Sequence, residues 1–260
     1  MNIPIISRQQ LEIINRKTLR YPLQVAEKDY FLALVMQIIS QSALGNTLVF
    51  KGGTAAHHCY LDQFRFSEDL DFSSSRPDLI PEELTRVFAD VGFLSVKKLF
   101  ISEATIKINK LQYTGPLTLP NFLKVEVDNK QNVILPPQYL KYHNVWGLDF
   151  NVRVIDVREM CAEKIRAMSD RARYRDFYDL CLLKEAHGIN LVEVVKYIGQ
   201  KEIRKPIFKA SIRRNWHIVG SQKIAEMSQI YYSEEIADEQ IEDLIEGLPF
   251  EEITTTCGRQ

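Results

Sequence analysis

The chain has 260 residues, 45% of them hydrophobic and 26% charged, with a net charge of −1. This is the balance of a folded protein long enough to bury a full core, in one large domain or two modest ones, and it excludes a disordered chain. No stretch is apolar enough to span a bilayer and no basic start precedes an apolar run, so a cytoplasmic protein with no membrane partner is expected; near neutrality also excludes a protein that coats nucleic acid with its whole surface.

In chain order, residues 25–42 (VAEKDYFLALVMQIISQS) carry apolar residues at helical spacing and predict an amphipathic helix of about four to five turns. A loop ends at Gly45-Asn46, and TLVFKGG then reads as a short buried strand stopped by the pair Gly52-Gly53. Thr54 is placed to cap a helix over 55–61. FSEDLDFS alternates strictly, with Leu70 and Phe72 on one face and Asp69 and Asp71 on the other. A helix is predicted over 82–91, and SVKKLFISEATIKI and FLKVEVDN read as further strands.

After NVRVIDV the periods turn helical, through VREMCAEKIRAMSDRARYRDFYDLCLLKEA, LVEVVKYI and QIEDLIEGL. The expected organisation is a core lobe over 1–156 and a helical lobe over 157–260. Cys59, Cys161, Cys181 and Cys257 lie far apart without a C-x-x-C pair, as expected of reduced, mostly buried thiols. Charge is segregated near the C-terminus. Eight Lys or Arg between 196 and 223 face the single acid Glu202, whereas 224–252 holds ten acids and no Lys or Arg.

Alternation on a strand puts Asp69 and Asp71 on one face with Cα atoms roughly 6.5 to 7 Å apart, close enough for both to bind one or two hard cations. Magnesium, or manganese in its place, takes oxygen ligands and leaves positions open for water and phosphate oxygens. A glycine pair offers backbone N–H groups to a phosphate that a Cβ would hold off, at the positive end of the helix that follows. Alone, Gly52-Gly53 is a turn and D-x-D is a solvated strand face; strand, glycine turn, helix and carboxylate strand in succession point to a phosphate-and-metal device.

These segments resemble the AbiEii toxin family of nucleotidyltransferases, which includes the MenT-like toxins and belongs to the polymerase-β-like superfamily. The resemblance rests on EKDY at 27–30, KGGT at 51–54, RFSEDLDF at 65–72, KVEV at 124–127, AEKIRAM at 162–168 and RDFYDL at 175–180. It implies an α+β fold: a polymerase-β-like nucleotidyltransferase core with a small mixed sheet, followed by a helical C-terminal lobe. It further implies attack of an acceptor hydroxyl on the α-phosphorus of an NTP, with pyrophosphate leaving. Asp69 and Asp71 would hold the metal, and Lys51, Gly52, Gly53, Thr54, Arg65 and Ser67 would form the nucleotide site. One departure is the 15 residues between Gly53 and Asp69, more than in the commonest superfamily pattern.

Glu126 and Asp128 both leave the KVEV strand on its polar face, and the family pattern places the third metal carboxylate at Glu126. Lys164, on the edge of an apolar helix face, is ordinarily a solvated side chain; the resemblance makes it a catalytic cation over the β- and γ-phosphates. Asp176 lies 12 residues beyond Lys164, about 18 Å along one unbroken helix. Either the chain turns between 169 and 174 and makes Asp176 a catalytic partner of Lys164, the favoured reading, or Asp176 meets a different part of the substrate; without a turn, Arg175, Asp176 and Asp179 are the charged side of an amphipathic helix. His57 and His58 diverge by about 100° on a helix and are expected in packing and solvent contacts rather than as a metal clamp.

The expected function is a metal-dependent toxin that transfers NMP from an NTP to an RNA acceptor, a tRNA 3′ end first, with a cognate antitoxin as a further partner. Lys205, Lys209, Arg213 and Arg214 with Trp216 form a candidate RNA track, unless the acidic stretch over 234–252 folds against it. The alternatives are transfer to a small molecule or a protein hydroxyl, and a non-catalytic NTP-binding regulatory module.

Overall fold

The structure is a computed structural model and describes residues 3–130, 132–201 and 205–254. The chain divides into two units. The first comprises Met1–Cys59, Ser67–Gln131 and Pro137–Val154; the second takes in the short segments Tyr60–Phe66 and Asn132–Pro136 besides Ile155–Gln260.

The first unit runs α1 (Arg8–Lys17), α2 (Leu23–Gln41), β1 (Leu48–Lys51), α3 (Gly52–Ala55), β2 (Asp69–Ser74), α4 (Pro81–Ala89), β3 (Leu94–Ile101), β4 (Thr105–Thr114), β5 (Pro120–Asp128), β6 (Gln138–Lys141) and β7 (Asn151–Val154). Its strands form one mixed sheet in the order β3-β4-β5-β2-β1-β7-β6. The pairs β2–β5 and β1–β7 are parallel and the rest antiparallel. Leu70, Phe72, Val125, Val127, Ile106 and Ile108 are buried on one face, where α2 packs.

α2 is not amphipathic as expected, because it is buried nearly all round, including Glu27 and Asp29. Its apolar residues cover the full circumference, so the two carboxylates point into packed protein and each takes a donor there. Glu27 Oε1 accepts from the Leu117 N–H at 2.8 Å and Asp29 Oδ2 from Trp146 Nε1 at 2.8 Å. Burial raises the Glu27 carboxyl above its ordinary value, and the Leu117 bond only partly offsets this.

The stretch 95–108, expected as strand, falls in a hairpin of β3 and β4. Ser102 turns it: its N–H donates to the Thr105 carbonyl at 2.9 Å and its Oγ accepts from the Thr105 N–H at 3.1 Å. Such local bonds of serine compete with strand continuation.

The second unit is helical: α5 (Val157–Asp170), α6 (Tyr174–His187), α7 (Leu191–Ile198), α8 (Lys209–Ile230) and α9 (Asp238–Glu246), with a short pair β8 (Ile207–Phe208) and β9 (Glu252–Ile253). Asp156 caps α5 by accepting from the Arg158 N–H, and Gly188 ends α6 in the left-handed region that glycine tolerates. No helix among the described residues is long and apolar enough to cross a membrane.

Candidate active site

β1 ends in a turn that only glycine makes easily. Gly52 has φ +79°, and α3 starts there, so the N-cap is Lys51 and not Thr54. Thr54 lies inside the turn of helix, fully buried, and its hydroxyl reaches sideways instead of capping. It donates to the Asp69 carbonyl at 2.5 Å and lies 3.0 Å from Ser67 Oγ. The threonine thus ties the glycine turn to the start of the carboxylate strand.

Strand pairing brings the polar side chains into rows. Lys51 of β1, Asp71 of β2, Glu126 of β5, Lys107 of β4 and Phe100 of β3 are successive cross-strand partners. Partners directly opposite project to the same face, here the one opposite α2. Asp69 is likewise opposite Lys124, and Asp128 opposite Ser73. Of the two carboxylates expected on β5, Glu126 is therefore the one level with Asp71.

The row is laced by ion pairs. Lys124 Nζ is 3.6 Å from Asp69 Oδ1, Lys51 Nζ is 3.9 Å from Asp128 Oδ2, and Lys107 donates to Glu126. The Lys107 ammonium is held above its ordinary pKa, first by that hydrogen bond and further by the charges of Glu126, Asp69 and Asp71.

Does this face suit a divalent cation? Asp69 Oδ1 is shielded from solvent and takes no hydrogen bond, a position a hard cation would satisfy. Among the described residues no three His, Cys, Asp or Glu side chains converge as a ready ligand set. Two carboxylates on one strand face are the donor set of a magnesium ion that keeps its other positions for water and phosphate.

In the second unit the expected turn is present: α5 ends at Asp170 and α6 starts at Tyr174. Lys164 Nζ consequently sits 3.4 Å from Asp176 Oδ1 and 2.5 Å from Asp179 Oδ2. Arg65, only 2% exposed, grips Asp179 with two bonds of 2.7 Å and donates to the Phe66 carbonyl at 2.8 Å. Arg171 completes the cluster on Asp176, at 2.8 and 3.2 Å. Burial alone would raise the Asp176 pKa, but Lys164 and Arg171 overcome it and hold the carboxyl below its ordinary value. Asp179, which the sequence places merely on the polar side of a helix, is the hub. Its signal, a buried arginine far upstream, has no local signature.

Most of the candidate RNA track, on α8 and just before it, makes bonds within the chain. Lys209 is buried and donates to the Glu246 and Leu248 carbonyls at 2.6 and 3.2 Å. Arg213 holds the Glu246 carboxylate at 2.6 and 2.5 Å, Lys205 pairs with Asp170 at 3.0 Å, and Lys223 pairs with Asp238. Trp216 is buried against Phe177, with ring centroids 5.2 Å apart. Only Arg214 of the five is exposed without a partner among the described residues. α9 thus folds its acids onto the stripe, the shielding that the segregated charge pattern allows.

His57 and His58 are both buried, which rules out the solvent contact expected of them. His58 Nδ1 bonds the His143 carbonyl at 2.7 Å and its ring stacks on Tyr142 at 4.5 Å. Cys59, Cys161 and Cys181 are buried free thiols whose pKa burial pushes up; Cys257 lies outside the described residues.

The family described as nucleotidyl transferase AbiEii toxins of type IV toxin–antitoxin systems matches residues 33–249. Among solved structures the chain is similar to MenT4, a nucleotidyltransferase toxin of Mycobacterium tuberculosis H37Rv, with a TM-score of 0.60 and 20% identity over 92% of this chain and 98% of that one. It is also similar to JHP933 of Helicobacter pylori, with a TM-score of 0.54 and 18% identity over 86% and 89%. At these identities the likeness is one of fold. No curated protein sequence matches the chain.

Proposed function

Since this chain belongs to the AbiEii family of nucleotidyl transferase toxins, we propose that it moves NMP from an NTP to a hydroxyl of an RNA acceptor, a tRNA 3′ end first. The reaction uses magnesium or manganese, in the cytoplasm, with a cognate antitoxin as its counterpart. The observation that carries the reading is the pair Asp69 and Asp71 on one face of β2, with the Gly52 turn folded directly against Asp71.

In this reading Asp69 and Asp71 would hold the cation, with Glu126, level with Asp71 and paired with Lys107, as the candidate third carboxylate. The bound cation would neutralise triphosphate charge and make the attacking hydroxyl more acidic. The turn at Gly52 and Gly53 presents backbone N–H groups to phosphate, with Lys51 beside it and the Ser67 hydroxyl held near by Thr54. Arg65 acts as a positioning residue, its guanidinium committed to Asp179. Lys164 and Asp176 keep the roles the resemblance gives them, the lysine offsetting charge on departing pyrophosphate.

The test is to incubate the protein with each labelled NTP, magnesium and total RNA, and to follow the label. Label in RNA supports the proposal. Label in protein or in a small product replaces the acceptor, and tight NTP binding without turnover replaces the enzyme by a regulatory module.

A further inference from the structure

Much of the expected α8 stripe is already paired with acids, and the carboxylate face of the sheet offers the acceptor another track. Beyond Glu126 the face continues over β4 and β3 with a different composition. Phe100, Lys107, Lys110, Phe122 and Lys124 project there with Lys98, which is opposite Lys110. Phe100 is 52% exposed although it stands in the same cross-strand row as Asp71 and Glu126. Lys110 lies over the Phe122 ring, 5.0 Å from its centroid, and among the described residues neither Lys98 nor Lys110 has a carboxylate partner. Lys107 and Lys124, paired with Glu126 and Asp69, form the border between this basic, aromatic patch and the acids.

We propose that this face of β3, β4 and β5 is the platform on which single-stranded RNA lies as the acceptor, with a base stacked on Phe100 and phosphates on Lys98 and Lys110. The inference rests on the transferase reading for its purpose but not for its geometry. Exposed aromatics interleaved with cations are the general means of holding a single strand, since every base has a π-face and every nucleotide a phosphate. At about 4.8 Å per strand, Phe100 stands roughly 14 Å from Asp71, close to four stacked nucleotides at about 3.4 Å each. A strand seated on Phe100 therefore delivers its end to the carboxylates.

An acidic peptide would also be drawn to the lysines, but it has nothing to stack on Phe100. Strand addition to the β3 edge is moreover opposed by Lys97 and Lys98, since lysines on an edge strand deter pairing.

The experiment measures anisotropy of a labelled 12-nucleotide single-stranded RNA of mixed sequence across a salt series. Lys98→Gln with Lys110→Gln should flatten the log–log salt slope by about 1.4, at about 0.7 for each phosphate that is no longer neutralised. Phe100→Ala should weaken binding about tenfold with the slope unchanged, the loss of one base stack. Ile80→Ala, which truncates an exposed apolar residue elsewhere in the same unit, should change neither. The platform is overturned if the wild type fails to bind at low salt, if both platform variants keep its affinity and slope, or if polyglutamate of equal charge displaces the RNA as well as unlabelled RNA does. Transfer from labelled NTP separates the two ideas. Wild-type KM for RNA in both platform variants sinks the platform and leaves the transferase; RNA binding as described with no label in any acceptor sinks the transferase and leaves the platform.

Discussion

Gly52 and Asp71 are packed so closely that a Cβ at position 52 would stand 2.6 Å from the Asp71 carboxylate oxygen Oδ2 and 3.2 Å from its Cβ. The backbone turn that would cradle phosphate and the carboxylate that would hold metal are thus one packed unit.

Gly52→Ala should therefore lose nearly all transfer activity. The substitution carries two costs: strain of about 1–2 kcal/mol at φ +79°, and displacement of Asp71. Thermal melting and turnover, measured together, separate them. A lowered melting temperature with wild-type kcat would mean that the glycine serves the turn alone.

Asp69→Asn and Asp71→Asn should each reduce kcat by about 10² to 10³-fold or more, with the fold retained, because they remove charge from a polar strand face and touch no core. Glu126→Gln should instead raise the magnesium needed for half-maximal rate, its carboxylate being shared with Lys107. Full turnover of both aspartate variants at saturating magnesium would end the metal assignment.

Lys164→Ala strips Asp179 and Asp176 of a buried cation and should cost about 3–5 kcal/mol, as breaking a buried pair commonly does. Arg65→Lys should also be destabilising, since one ammonium cannot replace the two-bond grip on Asp179. Urea unfolding measures both; titrating a non-hydrolysable NTP against the lysine variant tests its phosphate role. Unchanged stability with weakened NTP binding would make Lys164 a phosphate ligand alone, and the reverse would make it a structural cation.

Acid should weaken the first unit through His58. Burial lowers the His58 pKa to about 4, even with the Asp29 carboxylate 3.9 Å from Nε2. The folded value lies below the unfolded 6.5, so the unfolded chain binds the extra proton between them and stability falls as pH drops from 6.5 to 4. The full loss is about 3 kcal/mol, at about 1.4 kcal/mol for each pH unit. Urea midpoints against pH should flatten across this window in His58→Gln; identical slopes in variant and wild type would show that another group titrates.

Much of the geometry of the candidate site in the first unit is legible in the sequence because its parts are local. A strand's side chains alternate, so D-x-D alone puts Asp69 and Asp71 on one face, and a glycine pair after a buried strand marks a tight turn whatever the turn faces. Thr54 misleads because a hydroxyl beside a predicted helix start looks like a cap; its actual acceptor, the Asp69 carbonyl, is 15 residues away. That Lys107 and Phe100 stand in the same cross-strand row as Asp71 escapes notice for the same reason, since nothing in an alternating strand says which residues it will face.

The sequence by itself determined the alternation of β2, the glycine turn, the helical character of the C-terminal half and the separation of basic from acidic stretches, all of which depend on neighbours within a few residues. Only the tertiary structure decided that parallel pairing of β2 with β5 sets Glu126, and not Asp128, level with Asp71. It also decided that Asp179 gathers Arg65 and Lys164, and that Arg213 and Lys209 bond to the end of α9. Register and partner choice are settled by burial and charge satisfaction between segments far apart in the chain, which leave no periodic trace along it.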